Sequence, residues 1–323
     1  LEATAYLCAL RAFPSRASLL CSGRSLGLPG GYMGSAEFSH MNIVAGRVVY
    51  QDMTRIDIAI EDGSFADNPV IVECINAAKA SGGKLHLLGL LSDGGVHSHI
   101  RHLLALLKAA DGAGVQARVH AFMDGRDTAP DSGIGFMRDL QGKMPATARI
   151  SSIIGRYYAM DRDKRWDRTR IAWDALTQGK GLKSIDAVQA VQDAYDAGQT
   201  DEFIKPRLVT PEGQAPDQIE DGDSVFFFNV RAERARQISR CLFDDGFAEF
   251  DRGKRPILAA FSPIPPIEPI SPSPAPSLPQ TFRHGPGQTV SLGGMGHFAS
   301  PEPGKSAHVT SFSNGGVSDP YPV

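Results

Sequence analysis

The fold is decided by the stretch KLHLLGLL at residues 84–91, which runs into SDGGVH at residues 92–97. An almost uninterrupted apolar run of this length, closed by an aspartate and two glycines, is typical of a strand buried on both faces of a parallel sheet. A helix is predicted just before it, over residues 68–80, with Gly82 and Gly83 as its stop signal. The stretch therefore predicts a helix followed by a buried strand.

The same alternation continues along the chain. Further strands are predicted over residues 118–123, 148–154, 224–229 and 256–261, and further helices over residues 100–110, 134–141, 168–176, 185–195 and 232–242. In the RWDR segment at 165–168, Asp167 is expected near a helix N-terminus. Strands that alternate with helices form a sheet covered by helices on both faces. The predicted fold class is α/β with a doubly wound parallel sheet.

Polar and basic side chains directly follow four of these predicted strands. In chain order they are His97, then Arg126 with Asp127, then Arg156, then Arg231 with Arg234. Ligands of doubly wound sheets bind beyond the carboxyl ends of the strands. We therefore expect these side chains to converge at one edge of the sheet.

Arginine suits phosphate because its planar guanidinium donates two parallel hydrogen bonds. A single arginine is most often a solvated surface residue, but a group of arginines at strand ends favours an anionic substrate. The predicted substrate-binding residues are His97, Arg126, Asp127, Arg156, Arg162, Arg231, Arg234 and Lys305.

Asp127 is the predicted catalytic residue of this set. A carboxylate beside an arginine stays ionised, and it can then orient a substrate hydroxyl or accept its proton. The alternative is a purely structural pair with Arg126. His97 stands two residues before His99, and such a pair could present two imidazoles to a metal, although metal sites normally need a third or fourth ligand. A hydrogen-bonded structural histidine is the other alternative at position 97.

Composition limits the classes of partner. The net charge of −3 gives no general attraction to nucleic acid or membrane surfaces, so an anion site has to be a local basic cluster. No apolar run reaches the roughly 18 residues that a membrane-spanning helix needs. The four cysteines form no CxxC pair, which suits a reducing compartment and predicts a cytoplasmic protein.

Six motifs, in order and with suitable spacing, resemble those of the cofactor-independent (2,3-bisphosphoglycerate-independent) phosphoglycerate mutases. They are SDGGVHSH at 92–99, MDGRDT at 123–128, GRYYAMDRD at 155–163, RWDR at 165–168, FNVRAERAR at 228–236 and KSAHVT at 305–310. The resemblance covers residues 27–261 and again 305–316. It implies that 3-phosphoglycerate is the substrate, that His97 contacts it rather than a metal, and that Arg126 and Asp127 hold its glycerate part.

The resemblance also implies a second domain, similar to alkaline phosphatase, into which the substrate-binding domain is inserted. In this family that domain carries two metal ions, usually manganese, and a serine that takes up the phosphoryl group. The family's serine motif reads Gly-Asn-Ser-Glu-Val-Gly-His, whereas the aligned stretch here is GSAEFSH at 34–40. Ala36 therefore stands at the nucleophile position, and a methyl group cannot accept a phosphoryl group.

Ser35 is a poor substitute nucleophile, because productive geometry tolerates a displacement of only about 0.5 Å and a one-residue shift moves the oxygen much further. The family's metal-ligand motifs are not recognisable in this sequence. We therefore predict no metal ligand in this chain, and we expect the two Mn²⁺ ions of the family not to bind properly.

The predicted domains follow from this alignment. Residues 1–50 are a remnant of the phosphatase-like domain with the altered serine motif, and residues 51–261 are the α/β substrate-binding domain. Residues 262–304 are a Pro/Gly-rich linker, and residues 305–323 return toward the phosphatase-like domain. The arginine- and serine-rich residues 3–29 could instead be an organelle transit peptide.

Three functions are compatible with these observations. The first is a mutase that interconverts 3-phosphoglycerate and 2-phosphoglycerate in glycolysis and gluconeogenesis, incomplete or impaired in this chain. The second is a non-catalytic phosphoglycerate-binding protein. The third is another metal-dependent phosphatase or mutase of the same superfamily that acts on sugar phosphates. We expect a monomer whose partner is a small phosphorylated substrate, with no nucleic acid and no membrane.

Overall fold

The computed structural model describes residues 19–45, 47–263 and 292–294. They belong to two compact units, one drawn from residues 1–54 and 280–323 and the other from residues 55–279. Lys305, the predicted return segment and most of the predicted linker lie outside the described residues.

The larger unit is built on a sheet of seven described strands: β1 (Leu85–Leu91), β2 (Ala117–Met123), β3 (Ala148–Gly155), β4 (Leu182–Ser184), β5 (Arg207–Val209), β6 (Ser224–Phe227) and β7 (Ala260–Pro263). Their order is β4-β5-β3-β2-β1-β6-β7. Every neighbouring pair is parallel except β3 with β5. The α/β prediction is confirmed, but the sheet is mostly rather than wholly parallel.

The described helices surround this sheet or belong to the smaller unit. They are α1 (Ala36–Ala45), α2 (Asp52–Asp62), α3 (Pro69–Ser81), α4 (Ile100–Gly112), α5 (Gly133–Lys143), α6 (Arg156–Ala159), α7 (Trp166–Gln178), α8 (Ala187–Asp196) and α9 (Arg236–Phe243), with short 3-10 helices at Gly23–Leu26, Ser64–Asp67, Asp201–Phe203 and Ala232–Arg234. No described helix has both the length and the apolar character needed to cross a membrane.

Local signals explain where several helices begin and end. The Asn68 side chain accepts a hydrogen bond from the Val70 backbone N–H at 3.0 Å, so it caps the start of α3, and Gly82, with a φ of +70°, caps its end. Helix α7 begins at Trp166 with Asp167 in its first turn, as predicted. The predicted helix over residues 232–242 is instead divided into a 3-10 turn and α9.

The core lies on both faces of the central strands. Every residue of β1 and of β2 is buried, which confirms the prediction from the apolar stretch at 84–91. On one face the fully buried Trp173 of α7 belongs to the same apolar cluster as Phe122 and Phe227. Its indole N–H donates to the Arg252 carbonyl at 3.2 Å, so burial leaves no unpaired donor.

The sheet reverses its strand order between β1 and β6, because β2 and β3 lie on one side of β1 while β6 and β7 lie on the other. Such a reversal opens a crevice at the carboxyl ends of the strands. Here the Leu90 N–H donates to Asn229 Oδ1 at 2.8 Å, and the Val230 N–H donates to the His97 carbonyl at 2.6 Å. The first bond ties the segment after β6 to β1 itself, and the second ties it to the loop that follows β1.

The smaller unit contains the altered serine motif. Asn42 of α1 donates to the Leu26 carbonyl at 3.1 Å and accepts from the Val49 N–H at 2.7 Å. The Ser35 hydroxyl lies 3.5 Å from the Phe38 N–H, at the N-terminal end of α1. Ser35 is therefore placed where a helix-capping residue normally stands.

Candidate functional site

The most deeply buried part of the site is a charged triplet of Arg156, Asp124 and Asp127. Arg156 directly follows β3, and its side chain is 2% exposed. Its Nη1 donates to Asp124 Oδ1 at 2.5 Å and to Asp127 Oδ2 at 2.7 Å. Asp124 directly follows β2, and the same Oδ1 accepts from the backbone N–H groups of Arg126 and Asp127. A buried cation is thus matched by carboxylates from the neighbouring strand end, as buried charges require.

His97 lies against this triplet, with Nε2 3.7 Å from Asp127 Oδ2. The pKa of His97 is lowered to about 4, chiefly by burial and also by the charges of Arg156, Arg234 and Arg231, whereas the charge of Asp127 raises it. The imidazole is therefore neutral at pH 7. Its Nδ1 is buried and has no hydrogen-bond partner among the described residues. A neutral ring can donate one hydrogen bond and accept another.

The remaining arginines form the outer part of the site. Arg234 donates to the Met160 carbonyl at 3.3 Å. Burial lowers the pKa of Arg234, and so do the charges of Arg156, Arg162 and Arg126. Guanidinium groups that act on one another in this way are close together, which means that arginines from three separate strand ends share one region.

Two of these arginines face glutamates at the exposed rim. Arg162 Nη1 lies 3.1 Å from Glu233 Oε1, and both side chains are about half exposed. Arg126 Nη1 lies 3.9 Å from Glu202 Oε1. The rim therefore carries cations whose present partners are accessible to solvent.

The structure brings together every predicted substrate-binding residue that it describes; Lys305 lies outside the described residues, and Ser35, the substitute nucleophile, belongs to the smaller unit. The group consists of His97, Arg126, Asp127, Arg156, Arg162, Arg231 and Arg234. Their roles toward a substrate stay a prediction.

His99 has a different position from His97. Its Nδ1 accepts from the Arg101 N–H at 3.1 Å, so it caps α4 instead of joining a two-histidine metal site. Among the described residues, no group of three or more His, Cys, Asp and Glu could hold a metal ion. The buried aspartates already hold the Arg156 guanidinium, which would repel a metal cation. The described residues therefore do not fit the two manganese ions that the resemblance implies.

Several residues of the site were missed by the sequence prediction. Asp124, Glu202 and Glu233 pair with its arginines, and Thr128 has a buried hydroxyl without a partner among the described residues. The sequence did contain a signal for Asp124, because an Asp-Gly pair at the end of a predicted strand indicates a turn. The structure has this turn, and Gly125 adopts a φ of +66° in it. The sequence contained no signal for Glu202, since this residue belongs to a 3-10 helix (Asp201–Phe203) that is remote in the chain from Arg126.

The sequence matches the family model described as the N-terminal part of BPG-independent phosphoglycerate mutase over residues 56–263. The chain belongs to this family. It is 52% identical over 311 residues to the 2,3-bisphosphoglycerate-independent phosphoglycerate mutase of Nitratidesulfovibrio vulgaris, a comparison that covers 94% of this chain and 60% of the relative. It is 46% identical over 303 residues to that of Syntrophotalea carbinolica, with 93% and 59% covered.

The structure is similar to that of Leishmania mexicana phosphoglycerate mutase at low cobalt concentration, with a TM-score of 0.72 and 30% identity over 98% of this chain. The mutase-family chain spans about 60% of the length of these relatives. The matched range 56–263 contains the whole described cluster, whereas Ala36 and Lys305 lie outside it.

Proposed function

We propose that this chain is the phosphoglycerate-binding part of a 2,3-bisphosphoglycerate-independent phosphoglycerate mutase, which interconverts 3-phosphoglycerate and 2-phosphoglycerate. The observation that carries the proposal is the meeting of five arginines with His97 and Asp127 at the strand-order reversal of the sheet. A phosphate and a carboxylate on a three-carbon ligand both suit guanidinium groups. Membership of the family supports the same assignment.

Each part of the cluster has a chemical task in this proposal. The outer arginines bind the phosphate and carboxylate oxygens. Asp127, which Arg156 holds through a hydrogen bond, orients a glycerate hydroxyl and accepts its proton. Neutral His97, next to Asp127, donates or accepts a hydrogen bond without adding a charge. None of these tasks of the described residues requires a metal ion.

A second candidate, a binding protein without catalysis, is favoured by one observation. Position 36 holds alanine, and the Ser35 hydroxyl lies at the capping position of α1. If phosphoryl transfer requires a serine at position 36, this chain binds phosphoglycerate but does not turn it over.

Isothermal titration of the chain with 3-phosphoglycerate tests the binding proposal. Arg231→Ala should weaken binding by about 1.5–3 kcal/mol, the scale of a hydrogen bond to a charged group. Arg138→Ala is the matched control, because Arg138 is an exposed arginine on α5 outside the cluster, and its dissociation constant should equal that of the wild type. Equal affinity of wild type and Arg231→Ala would remove Arg231 from the site.

Titration with glucose 6-phosphate tests whether the ligand is a phosphoglycerate or a sugar phosphate. Tighter binding of the sugar phosphate would favour the third hypothesis. A coupled assay for 2-phosphoglycerate, with Mn²⁺ added, separates mutase from binding protein. Turnover by the chain as it stands would reject the non-catalytic candidate, and turnover only in Ala36→Ser would identify the missing hydroxyl as the cause.

A further inference from the structure

The rim of the cluster contains two glutamates that neutralise arginines proposed to bind the substrate. Glu233 stands between Arg231 and Arg234 in the chain and reaches across to Arg162, with Oε1 3.1 Å from Nη1. Glu202 faces Arg126 at 3.9 Å. Each glutamate therefore competes with an anionic ligand for the guanidinium that it faces.

The charges of the cluster do not match a phosphoglycerate while both glutamates stay in place. Among the described residues of the cluster, five arginines and the four carboxylates of Asp124, Asp127, Glu202 and Glu233 leave a net charge of one positive, because His97 is neutral. A phosphoglycerate carries about three negative charges near pH 7, up to two on its phosphate and one on its carboxylate. Without the two glutamates, the cluster would carry three positive charges.

Asp124 and Glu233 differ in how easily their carboxylates can leave the arginines that they hold. Asp124 is 1% exposed and holds both a buried guanidinium and two backbone N–H groups. The Glu233 side chain is 50% exposed, and no further hydrogen bond of its carboxylate is seen among the described residues. An exposed ion pair contributes only about 0–1 kcal/mol, so a phosphate oxygen with charge-assisted hydrogen bonds can replace it.

We propose that Glu233, and with it Glu202, is a counter-ion that the substrate displaces. Without a ligand, the glutamates hold Arg162 and Arg126 and keep the local charge near neutral. On binding, the ligand takes their place and the carboxylates turn to solvent. The glutamates therefore lower affinity and disfavour small anions with too few charges to displace them. This inference rests on the proposed phosphoglycerate site.

Titration of Glu233→Gln with 3-phosphoglycerate tests the proposal, because glutamine keeps the length of the side chain but removes the competing charge. The dissociation constant should fall about three- to fivefold, the range that an exposed ion pair allows. Glu220→Gln is the control, since Glu220 is an exposed glutamate paired with Lys84 at the opposite edge of the sheet, and its affinity should equal that of the wild type. Glu202→Gln should shift the constant in the same direction as Glu233→Gln.

A double-mutant cycle assigns the effect to Arg162. If Glu233 acts by occupying this arginine, Glu233→Gln should improve affinity much less in an Arg162→Gln background. Unchanged or weaker binding by Glu233→Gln would overturn the inference, because the glutamate would then orient Arg162 for the ligand. That result leaves the proposed function intact if Arg231→Ala still weakens binding. Absence of 3-phosphoglycerate binding by the wild type would overturn both.

Discussion

Gly155, the last residue of β3, has no room for a side chain. An ideal Cβ at this position would lie 2.3 Å from the Glu202 carbonyl oxygen and 2.7 Å from the Ile204 backbone nitrogen. Both atoms are backbone, so neither can rotate away. The Gly155 N–H also donates to the Ile204 carbonyl at 2.8 Å, which fixes the two segments together. Its φ of −60° suits any residue, so the obstacle to alanine is purely steric.

Gly155→Ala must therefore move either the end of β3 or the segment around Asp201–Phe203. Forcing an extra methyl group into a packed site costs about 1–3 kcal/mol of the free energy of unfolding. Arg156 is the next residue, so the shift also reaches its pairs with Asp124 and Asp127. We expect lower stability together with weaker binding of 3-phosphoglycerate.

Gly135→Ala is the matched control, with an expected change of opposite sign. Gly135 is an exposed residue of α5, and an added Cβ meets nothing within 4 Å. Alanine in a helix interior is more favourable than glycine by about 0.5–1 kcal/mol. Urea unfolding followed by circular dichroism at pH 7.5 measures both variants. A free energy of unfolding for Gly155→Ala equal to that of the wild type would refute the steric argument.

Other predictions concern buried histidines. Ser152 Oγ lies 2.7 Å from His120 Nδ1 in a buried chain that continues to His86, so Ser152→Ala should lower the free energy of unfolding by about 1–3 kcal/mol. Urea unfolding measures it, and Ser132→Ala, which removes a solvent-exposed hydrogen bond, should have a smaller effect. The pKa of His97, lowered to about 4 by burial and by nearby arginines, should rise when 3-phosphoglycerate binds, because the ligand offsets the arginine charges; NMR titration of the ring would contradict this if the pKa stayed constant or fell. Burial also lowers the pKa values of His86 and His120. Since the unfolded chain then binds more protons, the free energy of unfolding should fall as the pH decreases from about 6.5 toward 4, and denaturation curves that show constant stability over this range would disprove it.

The central part of the fold was predictable because its elements are long and strongly patterned. Strands β1, β2 and β3 and helices α3, α4 and α7 lie within a few residues of their predicted positions. By contrast β4 and β5 have three residues each, too few to show a periodicity. Their position, and the antiparallel pairing of β5 with β3, depends on the helices and loops that bring them back to the sheet edge.

The split of the predicted helix over residues 232–242 has a tertiary cause. The Val230 N–H donates to the His97 carbonyl, and Arg234 donates to the Met160 carbonyl, so this segment is held by two other strand-end loops. These long-range bonds fix the position of the chain where the predicted helix would begin. Helix propensity describes local preferences only, so it cannot predict the effect of such long-range bonds.

The sequence by itself determined the α/β class and the edge of the sheet at which the basic residues meet, because parallel strands place all their carboxyl ends on one side. Only the tertiary structure decided which charges pair. Asp124 reaches Arg156 across 32 residues of sequence, and Glu233 reaches Arg162 across 71. Ion pairs and the lowered pKa of His97 depend on separations of a few ångströms and on the exclusion of water, and both are set by packing between residues remote in the chain.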